Sequence, residues 1–169
     1  LDPWYRFYFY DKSSFDYCRT VKDTKLEIKK FSKDDAEGYE KLLKISKDIF
    51  DIGFTQLSDK PFNSFWFMCK QIPALIKLKA HLTVSQLVGR YLKNPKIRSA
   101  FSIHPLLVGG NPFNTTSIYA LIHYLERNWG VYFCMGGTGK IITELKKLML
   151  RQKIKIKLNI DIKNVNIES

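Results

Sequence analysis

The chain has 169 residues, 45% hydrophobic and 14% aromatic, enough to fill a core and to exclude disorder as a description of the whole. Lysines and arginines number 28 against 16 acidic residues, a formal charge of +12 at pH 7. The basic residues are mostly lysines spread along the chain rather than gathered in a run. This argues against a nucleic-acid-binding arm and leaves an anionic membrane, or solubility alone, as readings of the charge. The isolated cysteines Cys18, Cys69 and Cys134 form no CxxC and imply no disulfide framework. No run of about 18 apolar residues predicts a membrane-spanning helix, and no signal peptide is visible.

The chain opens on the aromatic run Trp4 to Tyr10, which predicts a strand. The polar turn Asp11-Lys12-Ser13-Ser14 and the return Phe15 to Cys18 make it a hairpin, and Leu26 to Ile28 is read as a short third strand. A chain that begins inside a strand at Leu1 is expected to be an internal piece of a longer protein. Ser32 as cap, Asp35 as the acidic group three residues on and Phe31 as an apolar staple predict a helix to about Phe50. Its buried stripe is Tyr39, Leu42, Leu43, Ile49 and Phe50, and Gly38 costs helix stability in exchange for close packing. Further helices are predicted from Phe62 to Met68, from Ala74 to Ala80 on the apolar face Leu75, Ile76 and Leu78, and from Thr83 on Val84, Leu87, Val88 and Tyr91. Pro95 fits the first turn of a short helix ending near His104.

Leu106-Leu107-Val108-Gly109-Gly110-Asn111-Pro112-Phe113 breaks the helical pattern, and its double glycine and Asn-Pro pair predict a shaped loop. Thr115 or Thr116 caps the next helix, through Tyr119, Ile122, His123 and Glu126. Trp129 to Phe133 reads as a turn and short strand, and Gly136-Gly137-Thr138-Gly139 opens a helix through Leu150. Ile154 to Ile160 alternates lysine with aliphatic residues at period two, and Ile162 to Ile167 nearly continues it. That is the pattern of half-buried strands.

No motif carries a reaction by itself. The glycine turn at Gly136 lacks both the Walker pattern and GxGxxG, and amounts to a tight turn with free backbone N–H groups at a helix start. His81, His104 and His123 have no metal-ligand spacing, so no metal site is expected. No GxSxG elbow is present. The aromatic residues suit a long apolar channel or an ordinary core equally well.

The segment Phe101-Ser102-Ile103-His104-Pro105 through Phe113, followed by Thr116 to Tyr119, Leu121 to Arg127, Trp129-Gly130-Val131 and Gly136-Gly137-Thr138-Gly139, closely resembles the bacterial-type phytoene desaturases. Asp2-Pro3, Phe31-Ser32, Glu37-Gly38-Tyr39 and Pro61-Phe62 fit the same pattern. The resemblance implies the amine-oxidase type of flavoprotein and an α+β or α/β fold class. Residues 1–133 would form part of a substrate-binding and helical membrane-associated domain with short strands. Residues 134–169 would be a partial return into the FAD-binding domain.

The activity so implied is FAD-dependent desaturation of phytoene or a related carotenoid. The alternatives are a flavin enzyme for another apolar substrate, such as a retinoid or modified carotene, and a non-catalytic apolar-ligand or membrane-binding module. The resemblance places Gly136, Gly137, Thr138, Gly139 and the backbone of Ile162 near the cofactor. It places His104, Leu107, Gly109, Gly110, Asn111 and Phe113 in the substrate region. Where the family often carries an acid followed three positions later by a base, this chain has Phe67 and Lys70, so Lys70 is the catalytic candidate. The dinucleotide fingerprint GxGxxG is absent, so this piece alone is not expected to hold FAD. The expected partners are a long polyene and, peripherally, the cytoplasmic face of a membrane; no nucleic acid is expected.

Overall fold

The computed structural model describes residues 1–54, 72–73 and 76–166. They fall into two compact units, Leu1–Val131 and Tyr132–Ser169. The expected helix from Phe62 to Met68, together with Phe67, Cys69, Lys70, Leu75 and Ile167, lies outside the described residues.

The first unit begins with the hairpin. Strands β1 (Tyr5–Tyr8) and β2 (Ser14–Tyr17) pair antiparallel, with Tyr5 opposite Tyr17 and Phe7 opposite Phe15. One face turns Phe15 and Tyr17 into the core, and on the other Arg6 grips Asp16 through two hydrogen bonds of 2.6 and 2.7 Å. The third strand expected at Leu26 is instead helix α1 (Val21–Lys29). Thr20 caps it, accepting from the Asp23 N–H at 3.0 Å, and Thr24 and Ile28, one helical turn apart, are its buried residues. The cap and the four-residue spacing outweigh the strand propensity of so short a segment.

Helix α2 (Lys33–Ile49) starts at the expected Ser32 cap and buries Tyr39, Leu42 and Ile49 along one stripe. Phe50–Phe54 continues it as a π-helical turn. The helical pattern expected through Ala80 ends early. The chain turns at Lys79, whose φ is 59°, so Leu78 enters the core while Ile76 stays 60% exposed.

Thr83 and Gln86 form a full capping box at the start of helix α3 (Val84–Tyr91), which buries Val84, Leu87 and Val88. Asn94 caps helix α4 (Pro95–Phe101), with Pro95 in its first turn. A 3-10 turn covers His104–Val108, and a second, Ser117–Ala120, leads into helix α5 (Leu121–Trp129). The short strand expected after Trp129 is absent; residues 130–134 carry no regular structure.

Helix α2 lies at the centre, packed on α1, α3 and α5. Trp4, Phe15, Tyr17, Ile28, Tyr39, Leu42, Val88 and Phe101 share one core, and Ile49, Leu78, Leu87 and Ala120 form a second cluster. Asp35 ties α2 to the α3–α4 junction. Only 1% exposed, its carboxylate accepts the backbone N–H groups of Lys93 and Asn94, each at 2.8 Å.

The second unit contains helix α6 (Thr138–Arg151), with no buried residue. Ile141, Leu145 and Leu148 lie exposed along one side. The strands expected from Ile154 onward do not form among the described residues. Strand backbone needs a neighbouring strand to satisfy its N–H and C=O groups, and no described segment supplies one.

Candidate functional site

His104 opens the loop segment and is anchored from below. Only 2% exposed, it places Nε2 3.1 Å from Glu126 Oε2 on α5. Tyr5 of β1 donates its hydroxyl to Glu126 Oε1 at 2.6 Å. Both carboxylate oxygens of Glu126 are thus engaged, one by the Tyr5 hydroxyl and one by the His104 ring. Burial first, then the hydrogen bond to Glu126 and its charge, raise the Tyr5 hydroxyl above its ordinary range.

His123, fully buried, meets His104 edge-on with ring centroids 4.1 Å apart. Among the described residues, neither ring nitrogen of His123, nor Nδ1 of His104, makes a hydrogen bond of ordinary geometry. Burial drives the His123 pKa well down, with His104 and Arg127 adding to the effect and the Phe101 backbone opposing it. His123 is therefore neutral in the folded chain at neutral pH.

The sign of the pH dependence follows. The unfolded chain protonates His123 near its ordinary pKa of about 6.5, whereas the folded chain does so only well below it. Stability supplied by this group is complete above about pH 6.5 and falls by about 1.4 kcal/mol per pH unit below it, until the folded-state pKa is reached. Urea titrations between about pH 7.5 and 5 should show this slope, and His123→Phe should reduce it by one proton. An unchanged slope in the variant would contradict the assignment.

Arg127, next along α5, spans the hairpin and two helices. Its Nε donates to the Tyr39 hydroxyl at 2.7 Å, one terminal nitrogen to the Cys18 and Arg19 carbonyls at 2.7 and 2.9 Å, and the other to the Thr24 hydroxyl at 2.8 Å. The guanidinium carbon lies 4.3 and 4.6 Å from the ring centres of Tyr17 and Trp4.

On this support the loop is tightly formed. Gly109, at φ 74°, closes the 3-10 turn, and the Gly110 N–H bonds the Pro105 carbonyl at 2.8 Å. The Asn111 side chain accepts from the Phe113 N–H at 2.9 Å, while its carbonyl receives the Asn114 and Thr115 N–H groups. Pro112 and Thr115 carbonyls accept from Ser85 and Val84 at the start of α3. The rigid loop nevertheless turns apolar side chains outward: Leu107 is 58% exposed and Phe113 69%.

In the second unit, Gly136 and Gly137 take φ of 88° and 83°, and Gly137 stands at the start of α6 without a side-chain cap. Thr138 and Gly139 form the first turn, and Ile162 is 79% exposed in irregular chain rather than buried in a strand. Lys70 lies outside the described residues. Thus His104 to Phe113 form one continuous feature, and Gly136 to Gly139 another. Sequence reasoning passed over Tyr5, Glu126, His123 and Arg127 as a cluster. Their separations along the chain exceed any motif length, although one helical face of α5 carries the last three.

No family model matches the chain. It is 42% identical over 159 residues, 94% of its length, to a lycopene-forming phytoene desaturase of Pseudescherichia vulneris. It is 38% identical over 99% of its length to one from a Paracoccus strain, and 42% identical over 88% to one from Pantoea ananas. The chain is a homologue of the phytoene desaturases. It spans 32%, 34% and 30% of the length of these relatives. A 4,4'-diapolycopen-4-al dehydrogenase of Metabacillus indicus matches at 29% identity over 99% of the chain. As in the phytoene desaturase comparison, the match runs through both described units.

Proposed function

We propose that the polypeptide to which this chain contributes is an FAD-dependent oxidoreductase that desaturates phytoene or a closely related carotenoid. The observation that carries this reading is 38–42% identity, over nearly the whole chain, to proteins named lycopene-forming phytoene desaturases. The lower identity to the diapolycopenal dehydrogenase favours phytoene over a modified carotene.

The loop from Leu106 to Phe113 suits a hydrocarbon ligand. Its backbone is held by internal hydrogen bonds and by α3, while Leu107 and Phe113 offer exposed apolar contact. In this reading they receive the polyene as it leaves a lipid phase. Lys70 is the catalytic candidate of this reading, through its positive charge.

The turn before α6 fits a flavin cofactor. Gly136 and Gly137 hold positive φ, and the uncapped helix start presents backbone N–H groups of the kind that receive a phosphate or let backbone approach a ring. FAD, when bound, supplies the hydride acceptor. Gly136, Gly137, Thr138 and Gly139 would line its approach, with the Ile162 backbone as a further contact. No helix among the described residues is long and apolar enough to cross a membrane. A peripheral position on the cytoplasmic face fits an insoluble substrate.

Phytoene delivered in liposomes under anaerobic conditions should bleach the visible absorption of flavin bound to the purified polypeptide. A folded protein without flavin would contradict the cofactor, and a bound flavin that stays oxidised would contradict the substrate.

A further inference from the structure

An open cleft of about 340 Å³ lies between α4 and the Leu106–Phe113 loop, within the size range of small-molecule sites, about 300–1,000 Å³. One side is polar: Ser85, Arg98, Ser99 and Ser102 line it. The other is apolar, with Leu106 and Phe113 61% and 69% exposed. Among the described residues, no carboxylate lines it.

The Arg98 guanidinium rests over bare Gly89, where an added Cβ would stand 2.8 Å from it. It makes no hydrogen bond or ion pair with a described residue, unlike Arg6 and Arg127. Ser102 is only 7% exposed, and its hydroxyl likewise has no partner among the described residues. The accessible hydroxyl of this mostly buried serine and the exposed guanidinium of Arg98 line one cleft and supply donors suited to a phosphate. Beside them Leu107 and Val108, each 58% exposed, extend the apolar rim outward. A guanidinium beside exposed aliphatic and aromatic side chains is the arrangement that places charge among headgroups and carbon among acyl chains.

We propose that this cleft seats the headgroup of an anionic membrane phospholipid, with Arg98 and Ser102 on its phosphate and Leu106, Leu107 and Phe113 among its acyl chains. The site rests on the reading above that the protein works at a membrane surface, and it sets the substrate-region loop against the bilayer from which a polyene would come.

The experiment compares sedimentation of the chain with vesicles of phosphatidylcholine alone and of phosphatidylcholine with phosphatidylglycerol. Arg98→Gln tests the cation, Leu107→Asp the rim, and Lys44→Gln, an exposed lysine of α2 outside the cleft lining, the effect of losing any one positive charge. Urea titration checks that each variant is as stable as the original chain. Binding to phosphatidylglycerol vesicles should weaken at least about tenfold in Arg98→Gln and in Leu107→Asp, and less than about twofold in Lys44→Gln. Equal losses in Arg98→Gln and Lys44→Gln would overturn the site and assign binding to the net charge of +12, leaving the membrane reading intact. Saturable binding of inorganic phosphate that Leu107→Asp leaves unchanged would make the cleft a free-phosphate site and overturn the lipid. An original chain that sediments with neither vesicle would overturn both.

Discussion

Arg127→Ala is expected to destabilise the Leu1–Val131 unit by about 4 kcal/mol, and Arg127→Lys by about 2–3 kcal/mol. The guanidinium donates to Tyr39, Cys18, Arg19 and Thr24, so one side chain joins α5 to the hairpin, α1 and α2. Alanine leaves the Arg19 carbonyl and the Tyr39 and Thr24 hydroxyls short of a donor, while the Cys18 carbonyl keeps the Thr24 hydroxyl at 3.1 Å; Thr24 and Tyr39 are both fully buried. It also removes the cation from between the Trp4 and Tyr17 rings. Lysine keeps the charge but not the planar fork that reaches all these acceptors. Burial pushes the Tyr39 hydroxyl up to about 12 while Arg127 pulls it the other way. Loss of Arg127 should therefore also raise the pH at which Tyr39 ionises. Urea titrations of the chain and both variants measure the first effect, and ultraviolet titration of tyrosine the second. A lysine variant as stable as the original would contradict the multidentate role.

Gly38→Ala is expected to cost about 3 kcal/mol, although helix propensity alone would make it stabilising by about 1 kcal/mol. A Cβ at this position would stand 2.0 Å from the Tyr91 carbonyl oxygen and 3.0 Å from its carbon. These are backbone atoms at the end of α3, so no rotamer change relieves the clash. One turn earlier on α2, Asp35 holds the Lys93 and Asn94 N–H groups, so the helices cannot part without straining that bond pair as well. Urea denaturation decides the sign. Increased stability in the alanine variant would show that the α2–α3 contact is looser than described.

The caps and the loop were legible in the sequence because they depend on neighbours. Ser32 and Thr83 declare helix starts within four residues, and Gly109-Gly110-Asn111-Pro112 contains the residues that tight backbone turns require. Gly38 was legible as a packing glycine, though not its partner Tyr91. The misread segments depend on context. Leu26 to Ile28 carries strand-compatible residues, but the Thr20 cap enrols it in a helix. The alternation after Ile154 describes a strand that has no described partner to pair with. The buried cluster was hidden for a different reason. Tyr5 and Glu126 are 121 residues apart, and Arg127 reaches Cys18 across 109. Such groups meet only after α5 has docked on α2. The expected loop and glycine turn are formed by the structure, while their contact with substrate and cofactor rests on the proposal.

The most direct test of that proposal is pigment formation. The complete reading frame encoding this chain would be expressed in cells that accumulate phytoene, and their lipid extract examined by absorption spectroscopy, with flavin content measured on the purified protein. The account predicts that coloured polyenes replace phytoene. A folded, flavin-loaded protein that leaves phytoene unchanged would contradict it.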